Sequence, residues 1–260
     1  MIASNLGTNI FYEVSGDGPP ILFVHGLGGT SNVWQPQRAV LSRLFKVITL
    51  DLPGSGRSDR SERTYTMERW AEQIVALADH LALDKLILVG HSMTTLLAQK
   101  VAARYAARLT ALVLCGPITE LPPAGKDAFV KRAEAVQQSG MIAIADAVLA
   151  GALSPATREA NPALAGLYRE MLLANDPPAY AAQCLALVDG SARADQAQIK
   201  CPTLILVGDQ DAVTPLTNAR AIAAAVPSAR IRIVPATAHA TMLERPEAFN
   251  AMIIEFLAGL

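Results

Sequence analysis

The chain has 260 residues, 52% of them apolar and 17% charged, with a formal net charge of −1. That length suits one α/β domain carrying an insertion, and the apolar share is enough for a large core. The near-zero net charge excludes the electrostatic footprint of a nucleic-acid or anionic-membrane binder.

The opening residues, up to about Ser15, carry a weak hairpin signal around Gly7. Six apolar runs then predict buried parallel strands: Ile21–His25, Val47–Asp51, Leu86–Gly90, Ala111–Cys115, Thr203–Gly208 and Ile231–Pro235. Each is rich in Val, Ile and Leu and ends in turn residues, as a strand covered on both faces should. Helices fall between them. Thr66–Leu81 places Trp70, Ile74, Leu77 and Leu81 on one face, and Pro246–Leu257 does the same with Phe249, Met252, Ile253 and Phe256. A further helix is expected over Thr94–Tyr105. This alternation predicts a doubly wound α/β sheet.

The rhythm breaks between Pro117 and Lys200, where no strand-like run occurs. Helical stretches near Asp127–Ser139, Met141–Ala150, Pro162–Asn175 and Pro178–Leu187 predict an inserted helical unit, since four in a row are too many for one crossover. The cysteines Cys115, Cys184 and Cys201 are far apart and odd in number, so free thiols are expected and no metal site. With no basic-then-apolar leader and no run of about 18 apolar residues, the default expectation is a soluble cytoplasmic protein with no membrane or nucleic-acid partner. A small-molecule substrate is the partner expected, and the oligomeric state is left open.

The chemistry gathers at the ends of the strands. Ser92, in Gly90-His91-Ser92-Met93-Thr94, stands between a predicted strand and a predicted helix, the setting in which a G-x-S-x-G serine becomes a nucleophile. A serine alone is weak and needs a base and an orienting acid. GDQDAVTP supplies Asp209 and Asp211 after one later strand, and ATAHATMLERP supplies His239 after the next. The order serine, acid, histidine is the one such sheets use. Of the other histidines, His80 sits among charged helix neighbours and reads as solvated, and His91 reads as a structural turn residue. A tetrahedral intermediate also needs backbone donors. Met93 N–H supplies one, and the HGLGGT loop, His25–Thr30, supplies another, best Leu27 N–H. That loop matches neither dinucleotide nor phosphate-loop patterns, so no nucleotide is expected, and a serine, acid and histidine set implies no metal or organic cofactor. Trp34, just beyond it, is a candidate substrate contact.

Taken together, HGLGG, DLPGSGRSD (residues 51–59), GHSM, GDQDAVTP and HATMLERP make the chain resemble the α/β-hydrolase superfamily over nearly its whole length. The resemblance implies an α/β-hydrolase fold: a mostly parallel central sheet with helices on both faces and an inserted helical cap. It divides the chain into a core, residues 1–118 and 199–260, and a cap, residues 119–198. It favours Asp211 over Asp209 as the acid and makes DLPGSGRSD a shaping loop of fold and pocket wall. ADAVL, YREMLLANDPPAYAAQCLAL and IKCPTLILVGDQD further resemble enol-lactonases of aromatic catabolism, which implies a carboxylate-bearing substrate and makes Lys126, Lys131, Arg132, Arg158 and Arg169 possible contacts.

The chain departs from the pattern at Thr94 and Thr95, where the family has small residues. The Thr94 side chain is expected to point away from Ser92 into the helix–sheet contact. Thr94→Gly is expected to be nearly neutral in stability, relief of crowding offsetting added backbone freedom. The leading expectation is a serine hydrolase of a small carboxylic ester or lactone, with Ser92, His239 and Asp211 as its triad. Other expectations are C–C hydrolysis, perhydrolysis or a lyase or cyclase reaction on the same triad, and a non-catalytic small-molecule receptor.

Overall fold

The computed structural model describes residues 1–60 and 64–260. Eight strands form one sheet: β1 (Ile2–Asn5), β2 (Thr8–Ser15), β3 (Pro20–Val24), β4 (Lys46–Leu50), β5 (Leu86–His91), β6 (Leu109–Cys115), β7 (Thr203–Gly208) and β8 (Ala229–Val234). Their order is β1-β2-β4-β3-β5-β6-β7-β8. β1 and β2 are the antiparallel hairpin anticipated around Gly7, turning through Leu6 and Gly7 at φ 50° and 82°. β2 meets β4 antiparallel, and from β4 to β8 every pairing is parallel.

The helices are α1 (Gln35–Leu41), α2 (Met67–His80), α3 (Thr94–Arg104), α4 (Pro123–Ser139), α5 (Ala145–Ala152), α6 (Pro155–Ala160), α7 (Pro162–Leu173), α8 (Pro177–Asp189), α9 (Leu216–Ala225), α10 (Thr241–Glu244) and α11 (Pro246–Ala258). Side chains of a strand alternate between faces, and the core obeys this. Leu22, Ile48, Leu88 and Leu112 pack with Trp70 and Ile74 of α2 and Leu97 of α3. Ile21, Val47, Val89 and Val113 pack on the opposite face with Leu41 of α1 and Phe249 and Ile253 of α11. The central strands are therefore largely apolar on both faces, which is why they read as nearly unbroken runs.

β8 departs from that reading. It is an edge strand with Arg230, Arg232 and Ile233 exposed, so only its inner residues are covered. Between β6 and β7 the chain runs through α4 to α8. The stretch expected as a helix over Met141–Ala150 is a 3-10 turn, Met141–Ala143, followed by α5, and α6 was not anticipated. Pro at a first helical position starts α4, α6, α7 and α8, and the side chains of Ser154, Asn161 and Asp176 cap the last three. α4 and α8 pack together around Val136, Tyr180 and Cys184. Among the described residues no helix is long and apolar enough to cross a membrane.

Candidate active site

The parallel strands all end at one sheet edge, and the candidate residues lie there. Ser92 follows β5 with φ 55°, a left-handed backbone unusual for a residue with a side chain. Its N–H donates to the carbonyl of Cys115 on β6 at 2.8 Å. A Cβ on Gly90 would come within 2.9 Å of the Thr94 carbonyl, so the strand and helix backbones leave no room for one. Such strain, of order 1–3 kcal/mol, persists only where the surroundings over-determine it.

Here the two unexpected threonines supply that determination. The Thr94 hydroxyl, fully buried, lies 3.0 Å from the carbonyls of both Val24 and His91, either of which takes its proton, and accepts the His91 N–H at 3.0 Å. Thr95 donates to the Ser92 carbonyl at 2.6 Å and accepts the Ile118 N–H at 3.2 Å. Thr94 points into the helix–sheet contact as expected, but its hydroxyl ties the turn to the ends of β3 and β5. The expectation that Thr94→Gly is nearly neutral is corrected accordingly: these bonds would be lost inside the protein.

His239 and Asp211 meet, with Nδ1 2.8 Å from Oδ2 and both side chains buried. The other carboxylate oxygen accepts the N–H groups of Val213 (2.9 Å) and Thr214 (2.8 Å), and the Thr214 hydroxyl donates to Oδ2 at 2.8 Å. Burial opposes ionisation of Asp211, but its bond and attraction to His239 and its bonds to Thr214 outweigh it, holding the carboxyl below the usual range. Asp209 is exposed and accepts the Thr237 N–H at 3.1 Å, which stays the loop before His239.

The remaining buried histidines have other partners. Burial and then the nearby His239 lower the His91 ring to about 3, so it is neutral, and its Nε2–H donates to the His239 carbonyl at 3.1 Å. His25 is lowered chiefly by burial. Its Nε2 accepts the Leu52 N–H at 3.0 Å and its Nδ1–H donates to the Gly26 carbonyl at 2.8 Å. Asp51 and Arg57 of the DLPGSGRSD loop brace the same region: the Asp51 carboxylate accepts the N–H groups of Ser31 and Arg57 and the Arg57 guanidinium.

Ser92 and His239 open onto one cavity of about 100 Å³, together with Gly26 and Leu27 of the HGLGG loop. A Cβ on Gly26 would lie 3.2 Å from the Ser92 Cβ and 2.9 Å from the His91 ring, so that loop approaches the serine closely. Among the described residues the N–H groups of Leu27 and Met93 have no acceptor within the protein. Trp34 does not reach the cavity. Its ring is fully buried against Phe23, His91 and Phe249, and Val33 is the wall residue instead. An indole of that size, pointing inward from a 3-10 turn, stays in the core beneath α11 and not in the pocket.

The far wall comes from the inserted helices, through Phe129, Arg132, Val148, Tyr168, Met171 and Tyr180. Of the basic residues that the sequence offered, Arg132 is the one on this wall, its guanidinium 4.4 Å above the Phe129 ring. Arg169 is paired with Asp146. The Tyr180 hydroxyl is buried with no hydrogen-bond partner of good geometry, and burial pushes the phenol up; the Arg132 charge beside it opposes the rise. Burial pushes the Tyr168 phenol up to about 12. Thr214 lies in GDQDAVTP and both tyrosines in YREMLLANDPPAYAAQCLAL, yet nothing local in those stretches marks the three as neighbours of the site. Among the described residues no group of three His, Cys, Asp or Glu side chains is arranged to hold a metal ion.

A left-handed serine at a strand–helix turn, lining one cavity with a histidine bonded to a carboxylate, on a mostly parallel eight-stranded sheet, defines a class of fold. The chain belongs to the alpha/beta hydrolase fold family, whose model matches residues 19–246. It is 28% identical over 262 residues to 3-oxoadipate enol-lactonase 1 of Acinetobacter baylyi, covering 100% of this chain and 97% of that protein. The enol-lactonase of Burkholderia xenovorans LB400 superposes with a TM-score of 0.95 at 29% identity, covering 99% and 100% of the two chains. A thermophilic esterase from Thermogutta terrifontis, solved with malate bound, gives 0.94 at 30% identity, covering 100% and 98%. The chain is thus a hydrolase-family enzyme, and the likeness to enol-lactonases expected from sequence is found in both sequence and structure.

Proposed function

We propose that the chain hydrolyses a small carboxylic ester or lactone bearing a second, free carboxylate, through an acyl-enzyme on Ser92. The observation that carries this reading is the Asp211–His239 pair opening onto the same cavity as a serine held at φ 55°. In this reading the free ring nitrogen of His239 takes the Ser92 proton as Oγ attacks the substrate carbonyl, and Asp211 holds the imidazole and stabilises its charge. The N–H groups of Leu27 and Met93 bind the oxyanion. His239 then protonates the departing alkoxide, which in a lactone stays tethered to the acyl group. A water, deprotonated by His239, attacks the Ser92 ester, and the acid product leaves with Ser92 regenerated. The route uses no metal and no organic cofactor.

Arg132 and the buried Tyr180 hydroxyl beside it supply the second half of the reading. A carboxylate on the substrate would give the guanidinium a partner and Tyr180 an acceptor, which an uncharged acyl chain would not. The enol-lactonase relatives and the malate-bound esterase are in keeping with small, anionic substrates. The small cavity favours short ones.

The test is a panel of lactones and short esters in matched pairs, with and without a free carboxylate. The expected result is turnover throughout, with kcat/KM at least about tenfold higher for the charged member, the scale of one charge-assisted bond. Absence of turnover on every ester and lactone would overturn the reading. Equal rates within pairs would remove the carboxylate from it.

A further inference from the structure

Glu244 is a buried acid, 5% exposed, with no role in the scheme above. Among the described residues no lysine or arginine side chain forms an ion pair with it. A buried carboxylate without a cation is costly unless it is fully hydrogen-bonded, and this one holds two backbone N–H groups. Oε1 accepts from Ala238 at 2.6 Å and Oε2 from Ser154 at 2.8 Å.

The identity of those two residues gives the contact its meaning. Ala238 immediately precedes His239. Ser154 caps α6 and follows α5, whose last residues, Gly151 and Ala152, are cavity wall. On the other side of the histidine, the Ala240 N–H donates to the Ala152 carbonyl at 2.8 Å. Both neighbours of His239 are therefore fastened to the same stretch of the inserted helices, one directly and one through Glu244. His91 adds a third hold, on the His239 carbonyl itself.

We propose that Glu244 is a positioning residue: by bridging Ala238 and Ser154 it sets the place of the His239 imidazole relative to Ser92 and to the cavity wall of the inserted helices. The inference rests on the reading of His239 as the base. A carboxylate is the group this bridge requires. Both its oxygens accept, whereas a glutamine would accept one N–H and turn its own NH₂ against the other. Misplacement of a catalytic group by about 1 Å costs up to about 10²-fold in rate.

The experiment counts active sites by fluorophosphonate labelling and measures p-nitrophenyl acetate hydrolysis per labelled site. In Glu244→Gln, kcat per site should fall at least about tenfold with KM changed less than about threefold, and labelling should slow by a similar factor, because both reactions need the base in place. Thr66→Ala, which removes the N-cap of α2, serves as the control for lost stability: its melting temperature should fall while kcat per site stays that of the wild type. Should Glu244→Gln fail to fold, Glu244→Asp carries the test. It keeps the charge but is one methylene short of spanning both N–H groups, and should show the same loss in kcat with KM little changed. Wild-type kcat per site in the variant that folds would reduce Glu244 to a structural strut and overturn the proposal. A wild-type enzyme that neither labels nor turns over would instead overturn the hydrolase mechanism, and this inference with it.

Discussion

The two walls of the cavity are built on different principles. On the sheet side the side chains around the reacting groups are matched, and the N–H groups of Leu27 and Met93 are what is left open. Asp211 is bonded four times over, Thr94 and Thr95 clamp the serine turn, and His91 and His25 are locked as neutral rings. On the side of the inserted helices the wall is mainly apolar, with a half-buried arginine that pairs with no carboxylate among the described residues and a buried tyrosine hydroxyl beside it. A network satisfied from within fixes geometry, and a polar group unsatisfied from within is set to be satisfied by a ligand. The difference assigns chemistry to one wall and selection to the other, and substitutions on each should separate the two.

The largest effect should come from the matched wall. Asp211→Asn should lower kcat by at least about 10²-fold, whereas Asp209→Asn should leave it within a few-fold, in the same ester assay. The reverse ranking would move the acid to the exposed position. The same pair of proteins carries a stability test. Because Asp211 is held ionised below its ordinary range, its contribution is present above that range and is lost as pH falls through the folded value. Wild type should therefore exceed Asp211→Asn in urea midpoint at neutral pH, with the gap closing towards pH 3.

The other wall should change selectivity and little else. Arg132→Gln should lower kcat/KM for carboxylate-bearing substrates by about 10- to 100-fold, the value of roughly 1.5–3 kcal/mol for hydrogen bonds to a charged group. Neutral esters should be turned over within about twofold of wild type. A uniform loss across both classes would mean that Arg132 supports the fold of the wall and does not read the substrate.

Smaller effects sharpen the account of the serine turn. Thr94→Ala removes a buried hydroxyl from His91 N–H and two carbonyls, and should cost about 1–3 kcal/mol in denaturant unfolding. Activity should stay within about tenfold, since no reacting group is lost. A loss beyond about 100-fold would give Thr94 a part in the chemistry. The smallest effect expected is none. Burial lowers both His25 and His91, and His91, at about 3, does not change charge between about pH 5 and 8. His80→Gln, which alters a histidine outside the cavity, should leave kcat/KM at each pH between about 5 and 8 as in wild type, and a changed pH dependence there would break the assignment of the base.

The same division governs what could be read from sequence. The central strands, the serine turn and the order of acid and histidine were legible because each is set by local pattern: apolar runs buried on both faces, and motifs at strand ends. Asp209 and Asp211 stayed open to the residues alone, since only tertiary packing decides which carboxylate turns to His239. Thr94 was misjudged in energy because its partners, Val24 and His91, include one that lies 70 residues away. Trp34 was misplaced because a large aromatic beside a glycine-rich loop serves core or pocket equally well on paper. Tyr180 on the far wall comes from a helix whose pairing with α4 around Val136 and Cys184 no local pattern reveals.

The central claim is that Ser92 is the nucleophile of a hydrolase, and active-site labelling tests it most directly. Incubation with a fluorophosphonate, followed by peptide mass spectrometry, should place one adduct per chain on the peptide containing Ser92. Ester hydrolysis should be lost in step with labelling. Ser92→Ala should take no label and retain less than about one part in 10³ of wild-type kcat. Label at another residue, or a Ser92→Ala protein within tenfold of wild type, would contradict the account.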